Sequence, residues 1–286
     1  MQLEGRRKST NVEDRRRGGA AAAGGIGLGG LIIVGLIMLL TGQDPSQVLS
    51  YIDDGSLTTT QDSGYVESTE DQQLYDFSVT ILAGTEDIWS AIFKQNGLTY
   101  TAPKLVLFNG SVQSGCGGAT ASTGPFYCSA DQCIYLDLSF FKTMKQQFGT
   151  TGDFAWAYVI AHEVGHHVQH LLGTLDQVNQ KRARSNEKAA NQLSVRLELQ
   201  ADFYAGIWAH YDNKRFGSLE EGDIEEGIRC ANAIGDDILQ KNSYGYTVPD
   251  AFTHGTAQQR VRWLKKGLDS GNPALGDTFS PRYSEL

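Results

Sequence analysis

Between Arg17 and Asp44 the chain carries no charged residue. A water-soluble helix of such length shows a polar face. This stretch has none: its most apolar part, GGLIIVGLIMLLTG (29–42), follows AAAAGGIGL (20–28). About 20 apolar residues span a bilayer, so residues 21–41 read as a single transmembrane helix. The flanks orient it. Residues 1–20 are a basic stretch expected to stay cytoplasmic, and everything beyond residue 42 is expected on the extracytoplasmic side. LLTGQDPSQ offers only a poor small-x-small cleavage site, which favours a retained signal anchor. Gly25 and Gly29 form a GxxxG pair, but in so glycine-rich a segment the match leaves the oligomeric state unknown.

The rest of the chain is acidic. Residues 1–17 hold six basic side chains against three acidic ones, so with a total of −9 the remainder stands at −12. That balance excludes nucleic acid as a partner, because phosphate binding relies on clustered Lys and Arg. All four cysteines fall in the part expected outside, where disulfides persist. Cys116 and Cys128 bracket a short Gly/Ser/Thr loop and are the natural pair, which leaves Cys133 to pair with Cys230. Zinc ligation by cysteines is disfavoured, since no Cys-x2-Cys pair exists.

Residues 42–70 are polar, acidic and rich in turn formers, and read as a linker. The folded domain is expected over residues 71–270, with 271–286 as a C-terminal tail. Phe77, Ile81, Ile88, Ile92 and Phe93 recur at helical spacing, and Gly97 suits a helix end. Strand-like pieces follow at 104–110, 124–129 and 133–141, separated by Gly/Ser turns. Beyond residue 153 the apolar period is helical, over 154–171, about 182–211, 219–241 and 255–268. The expectation is an α+β domain, mostly helical, with a small β-sheet.

One helix carries the chemistry. In AHEVGHHVQH (161–170), positions four apart share a helix face. That pairs His162 with His166, and turns His167 away. Glu163 between them completes His-Glu-x-x-His, in which two imidazoles grip Zn²⁺ and the glutamate reaches the attacking water. The uncharged WAYVI upstream and the apolar Val164 and Val168 mark the helix as buried. His170 reads as a helix-end residue and His167 as a supporting or surface group.

A catalytic zinc takes three protein ligands and leaves a fourth position open. Glu198, Asp202, His210, Glu220, Glu221, Glu225, Glu226 and His254 are the candidates. Glu198 and Asp202 lie one turn apart among Leu197, Leu199, Ala201, Phe203 and Ala205. Buried there, carboxylates need a metal or a donor. Glu198 then completes the site, and Asp202 accepts the free ring N–H of a ligating histidine. The alternative is that both face solvent as ordinary helix residues. The acids at 220–226 read as a solvated helix start. The donors would suit Co²⁺ or Mn²⁺ as well as zinc.

The segments GPFYCSADQCIYLDLSFF (124–141), AYVIAHEVGHHVQ (157–169), RLELQADFYAGIWA (196–209), NAIGDDILQ (232–240) and THGTAQQRVRW (253–263) together resemble the bacterial neutral zinc metallopeptidases, membrane-anchored proteins with an HExxH helix. The chain is also similar to the glutamate-ligand zincins. These resemblances imply a zincin-like fold, with His162, His166 and Glu198 as zinc ligands, Glu163 as general base and Asp202 as the histidine's partner. By analogy with the distal histidine of such enzymes, His254 would stabilise the oxyanion. It could equally be a surface residue beside an N-capping Thr253 or Thr256, with Tyr244 or Tyr246 as substitutes. The implied activity is hydrolysis of peptide or protein substrates through a zinc-activated water. The competing expectation is a catalytically silent zinc-binding scaffold of the envelope.

Overall fold

A computed structural model describes residues 1–17, 66–148 and 152–286. The expected anchor, 21–41, lies outside the described residues, as does most of the linker. Among the described residues no helix is long and apolar enough to cross a membrane.

Helix α1, Thr69–Gln95, begins slightly before the expected start. Ser68 accepts the Asp71 N–H and Asp71 accepts the Ser68 N–H, each at 3.1 Å, closing a capping box. Gly97, at φ +71°, turns the chain out of the helix as expected.

Four short strands form one sheet, in the order β1 (Val12–Asp14), β2 (Lys104–Phe108), β6 (Cys133–Asp137), β5 (Phe126–Cys128). β1, β2 and β6 run parallel, and β5 runs antiparallel to β6. Every residue of β6 is buried, which suits an internal strand. The sheet's two edges are therefore β1 and β5. The strand expected over 133–141 stops at Asp137. Its carboxylate accepts the N–H groups of Ser139 (2.9 Å) and Gly110 (2.8 Å), and helix α2 (Ser139–Phe148) starts there.

A hairpin not anticipated, β3 (Ser111–Ser114) with β4 (Gly117–Thr120), fills the loop between β2 and β5. Cys116 and Cys128 are disulfide-bonded, as expected. The second expected pair does not form. Cys133 and Cys230 are free and buried in different apolar clusters, one under the sheet and the other among the helices.

The helical half comprises α3 (Asp153–Leu171), α4 (Thr174–Arg182), α5 (Glu187–Phe216), α6 (Asp223–Ala233), α7 (Asp236–Tyr244) and α8 (Ala257–Ser270). The helix expected at 182–211 starts later, where the Asn186 side chain caps the Ala189 N–H at 2.9 Å. The one expected at 219–241 breaks at Gly235, where any β-carbon would meet the Ala257 backbone nitrogen at 2.2 Å.

The central helix, α5, packs against α3 on one side and α8 on the other. Glycines allow both approaches. A β-carbon on Gly165 of α3 would lie 2.9 Å from the Ala201 carbonyl oxygen of α5, and one on Gly267 of α8 would lie 2.1 Å from the Phe203 oxygen.

Both chain ends belong to this body, which corrects the expected limits of 71–270. At the N-terminus, β1 pairs with β2 over three residues. The Met1 ammonium meets Asp153 at 2.7 Å and Glu220 at 2.8 Å, and Arg6 grips the buried Asp212 at 2.9 and 2.6 Å. Asp223, expected to be solvated, is buried 3.4 Å from the same ammonium. At the other end, Gly276 accepts from Gln200 (2.8 Å), Arg196 donates to the Thr278 carbonyl, and Leu286 is buried. Backbone groups and side chains at both ends find partners on the sheet and the helical body, so neither end stands apart as a tail.

Gly165→Ala should push α3 from α5 and cost about 1–3 kcal/mol. Urea denaturation reads this as a lower midpoint with an unchanged slope. An unshifted midpoint would mean the helices do not meet there.

Candidate metal centre

The α3 helix presents His162 and His166 one turn apart, with ring centroids 4.8 Å apart and planes at 89°. Because Gly165 admits the α5 backbone, Glu198 comes up against both rings. His162 Nε2 lies 3.1 Å from Glu198 Oε2, and His166 Nε2 lies 3.5 Å from Glu198 Oε1. Two ligands about 2 Å from a tetrahedral ion stand about 3.3 Å apart. The two spacings bracket that value, and one donor atom from each residue falls within 4.8 Å of the others. Two imidazoles and one carboxylate at this separation fit zinc. His162 is buried while His166 and Glu198 keep partial exposure, so the group opens on one side.

Each ring is held from behind. His162 Nδ1–H donates to Asp202 Oδ1 at 2.8 Å, and His166 Nδ1–H donates to Gln169 Oε1 at 2.9 Å. These acceptors keep the ring proton on Nδ1 and leave Nε2 as the donor atom facing Glu198. Gln169 is fixed in turn by the Leu197 carbonyl (2.7 Å) and the Gln200 side chain (3.1 Å).

Asp202 has no exposed surface. Besides His162 it accepts the Tyr158 hydroxyl at 2.5 Å and the Arg260 Nε and Nη2, each at 2.9 Å. Burial raises its pKa, but Arg260 and then His162 outweigh that and hold the carboxyl at about 2. Gln169 and Arg260 escaped the sequence reading. Gln169 carried a signal, a polar residue three places after His166 on a buried helix. Arg260 carried another, a cation in line with Trp263 and Leu264 on the apolar stripe of the last helix.

Glu163 is buried beside this group. Burial is the main effect lifting its carboxyl above the usual range, opposed by His166 and His162, raised further by Glu198, and opposed again by the Tyr127 backbone N–H. Edge strand β5, which carries Tyr127, packs against α3. For Glu198, burial acts upward but His166 and His162 prevail, and the carboxyl is held well below its ordinary value.

His167 is a pin between layers. It is fully buried, with Nε2–H donating to the Thr101 carbonyl at 2.6 Å and Nδ1 accepting from the Tyr127 hydroxyl at 3.0 Å. Burial lowers its pKa to about 4, so it stays neutral. His170 sits at the helix end, 3.7 Å from Asp176.

His254 is buried in the turn before α8. Asp236 Oδ2 accepts the N–H groups of Thr253 (2.8 Å), His254 (2.6 Å) and Gly255 (3.0 Å), while its Oδ1 faces His254 Nδ1 at 3.2 Å. Burial pulls the imidazole down, but Asp236, with help from Glu198, raises it overall. Thr256, not Thr253, is the N-cap. Tyr244 and Tyr246 are exposed and lie against each other.

Burial pulls the metal-free His162 down, yet Asp202 and Glu198 lift it from 6.5 to about 10. Its ionic contribution to the metal-free fold is complete below about 6.5 and is lost as pH rises through about 10. Ligation needs neutral imidazole, so zinc binding near neutral pH should expel a proton and tighten as pH rises. Calorimetry in buffers of different ionisation enthalpy measures that proton; none released would refute the pairing. Arg260→Lys keeps the charge but loses the fork on Asp202, and should weaken zinc binding about 10-fold. Competition with a chromogenic chelator gives the value.

Residues 1–279 match the family described as "Putative neutral zinc metallopeptidase". The uncharacterised protein YpfJ of Escherichia coli K12 is 46% identical over 286 residues, 98% of this chain and 99% of its own. The uncharacterised proteins Mb2605 of Mycobacterium bovis and Rv2575 of Mycobacterium tuberculosis are 44% identical over 191 residues, 63% of this chain and 64% of theirs. No solved structure matches. With one family spanning residues 1–279 and a full-length relative at 46% identity, the chain belongs to the neutral zinc metallopeptidases.

Proposed function

We propose that the protein is a zinc-dependent endopeptidase of zincin-like build, acting on peptide or protein substrates. One observation carries the reading: the donor atoms of His162, His166 and Glu198 converge while the Glu163 carboxyl, raised by burial, lies beside them. A structural zinc site has no use for that fourth group, whereas hydrolysis does.

His162, His166 and Glu198 would hold the zinc, which would supply Lewis acidity toward the scissile carbonyl and water. Glu163 takes a proton from the attacking water and returns one to the leaving amine. A carboxyl raised by burial is a stronger base than an exposed one, which suits the first transfer, and it still returns the proton in the second. Asp202, clamped by Arg260, keeps His162 in its ligating tautomer. His254, held by Asp236 and raised by it, is the donor for the developing oxyanion. β5 has a partner on one side only and packs against α3. An extended peptide laid along that edge would bring a carbonyl to the site.

Metal content and peptide cleavage of wild type against Glu163→Gln provide the test. The variant should keep its zinc and lose about 10²–10⁴-fold in kcat. Zinc in both forms with cleavage in neither would identify a scaffold. His254→Ala should lower kcat by about 10²–10³-fold with zinc content intact. A change confined to KM would remove it from the oxyanion role.

A further inference from the structure

The uncharged run 18–43 suggests a single crossing with the N-terminus on one side and the domain on the other. The described residues at its two flanks point elsewhere. Before the run, residues 1–17 are part of the body. β1 lies parallel to β2 in the register Val12↔Leu105, Glu13↔Val106, Asp14↔Leu107, and backbone bonds from Leu105 to Asn11 (2.9 Å) and from Arg15 to Leu107 (2.7 Å) extend the ladder. The buried Glu86 of α1 accepts from Ser9 at 2.5 Å and Asn11 at 2.8 Å, and Arg6 neutralises Asp212, which has no exposed surface. A buried carboxylate of that kind requires its partner.

The two flanks also touch each other. Arg16 Nη2 lies 2.9 Å from Glu67 Oε1, and Arg17 Nη2 lies 2.8 Å from Glu67 Oε2. Arg16 further stacks over the Tyr75 ring of α1 at 4.9 Å. One crossing separates its ends by about 30 Å of hydrocarbon, which no ion pair bridges. A second crossing would have to use residues 44–65, and these include Asp44, Asp53, Asp54 and Asp62 among turn-forming polar residues. Such a segment does not cross hydrocarbon.

We propose that residues 1–17 and the zinc-binding domain share one compartment, so that the uncharged run begins and ends on the same face of any membrane it meets. The pairing of β1 with β2 and the Arg16/Arg17–Glu67 clasp are assembled where the whole chain folds, and the metal centre faces the compartment that holds the N-terminus. This holds whether β1 is contributed by the same chain or by a second copy, because either arrangement needs strand and domain on one side.

The test uses the full-length protein in membranes and does not depend on catalysis, so it stands or falls apart from the peptidase reading. The two free cysteines are buried and the other two are bonded. Lys8→Cys and Leu275→Cys, both at exposed positions, therefore provide single reporters. A membrane-impermeant maleimide is applied to spheroplasts and to inverted vesicles. Both positions should label from the same face, whichever face that is. Lys8→Cys labelling only from one face and Leu275→Cys only from the other would overturn the proposal. As a second measurement, Glu13→Cys with Val106→Cys places two thiols at directly paired positions of β1 and β2. Oxidation in the membrane fraction should cross-link this pair, and its failure to do so would count against the shared compartment.

Discussion

One buried carboxylate holds the helical half in register. Asp202 sits on α5, receives His162 and Tyr158 from α3, and receives a two-pronged Arg260 from α8. With no water in reach, each of these donors compensates part of the desolvation of the charge, and removing one leaves the rest uncompensated. The three helices must therefore lie close enough for short side chains to meet. Gly165 and Gly267 permit that distance, since a β-carbon at either would strike the α5 backbone.

That geometry also explains why the two carboxylates of α5 behave differently though only one turn apart. Asp202 faces the guanidinium and is neutralised within the protein. Glu198 faces two imidazoles whose Nε2 atoms carry no proton in the ligating tautomer, at the partly open side of the cluster. With the two imidazoles it forms a group whose donor atoms fit a metal ion. Glu163, on the same helix as the imidazoles, is raised by burial instead. Three carboxylates within one small region thus sit in three electrostatic settings.

The sheet contributes by delivery. Of the sheet's two edges, β1 and β5, the pin His167–Tyr127 fixes β5 against α3. The disulfide at Cys128 ties the same strand to the hairpin beside it. This edge strand is thereby supported from two sides, by α3 and by the hairpin.

Much of the centre was legible in the chain. His162, Glu163 and His166 follow from helix geometry, as do Glu198 and Asp202 as a pair, because a helix fixes which residues share a face. The α+β balance and the Cys116–Cys128 pairing were also local matters, read from period and from loop length. Gln169 and Arg260 were not read, since their importance depends on which carboxyl or imidazole lies opposite. Cys133 and Cys230 were misread as partners for the same reason: nothing in their spacing says that one lies under the sheet and the other among helices. The placing of residues 1–17 beside residues 104–108 is the largest such case. Spacing along one element is set by covalent geometry and so is written in the sequence, whereas contact between distant segments is decided only when packing, glycine clearances and buried charges are satisfied together in three dimensions.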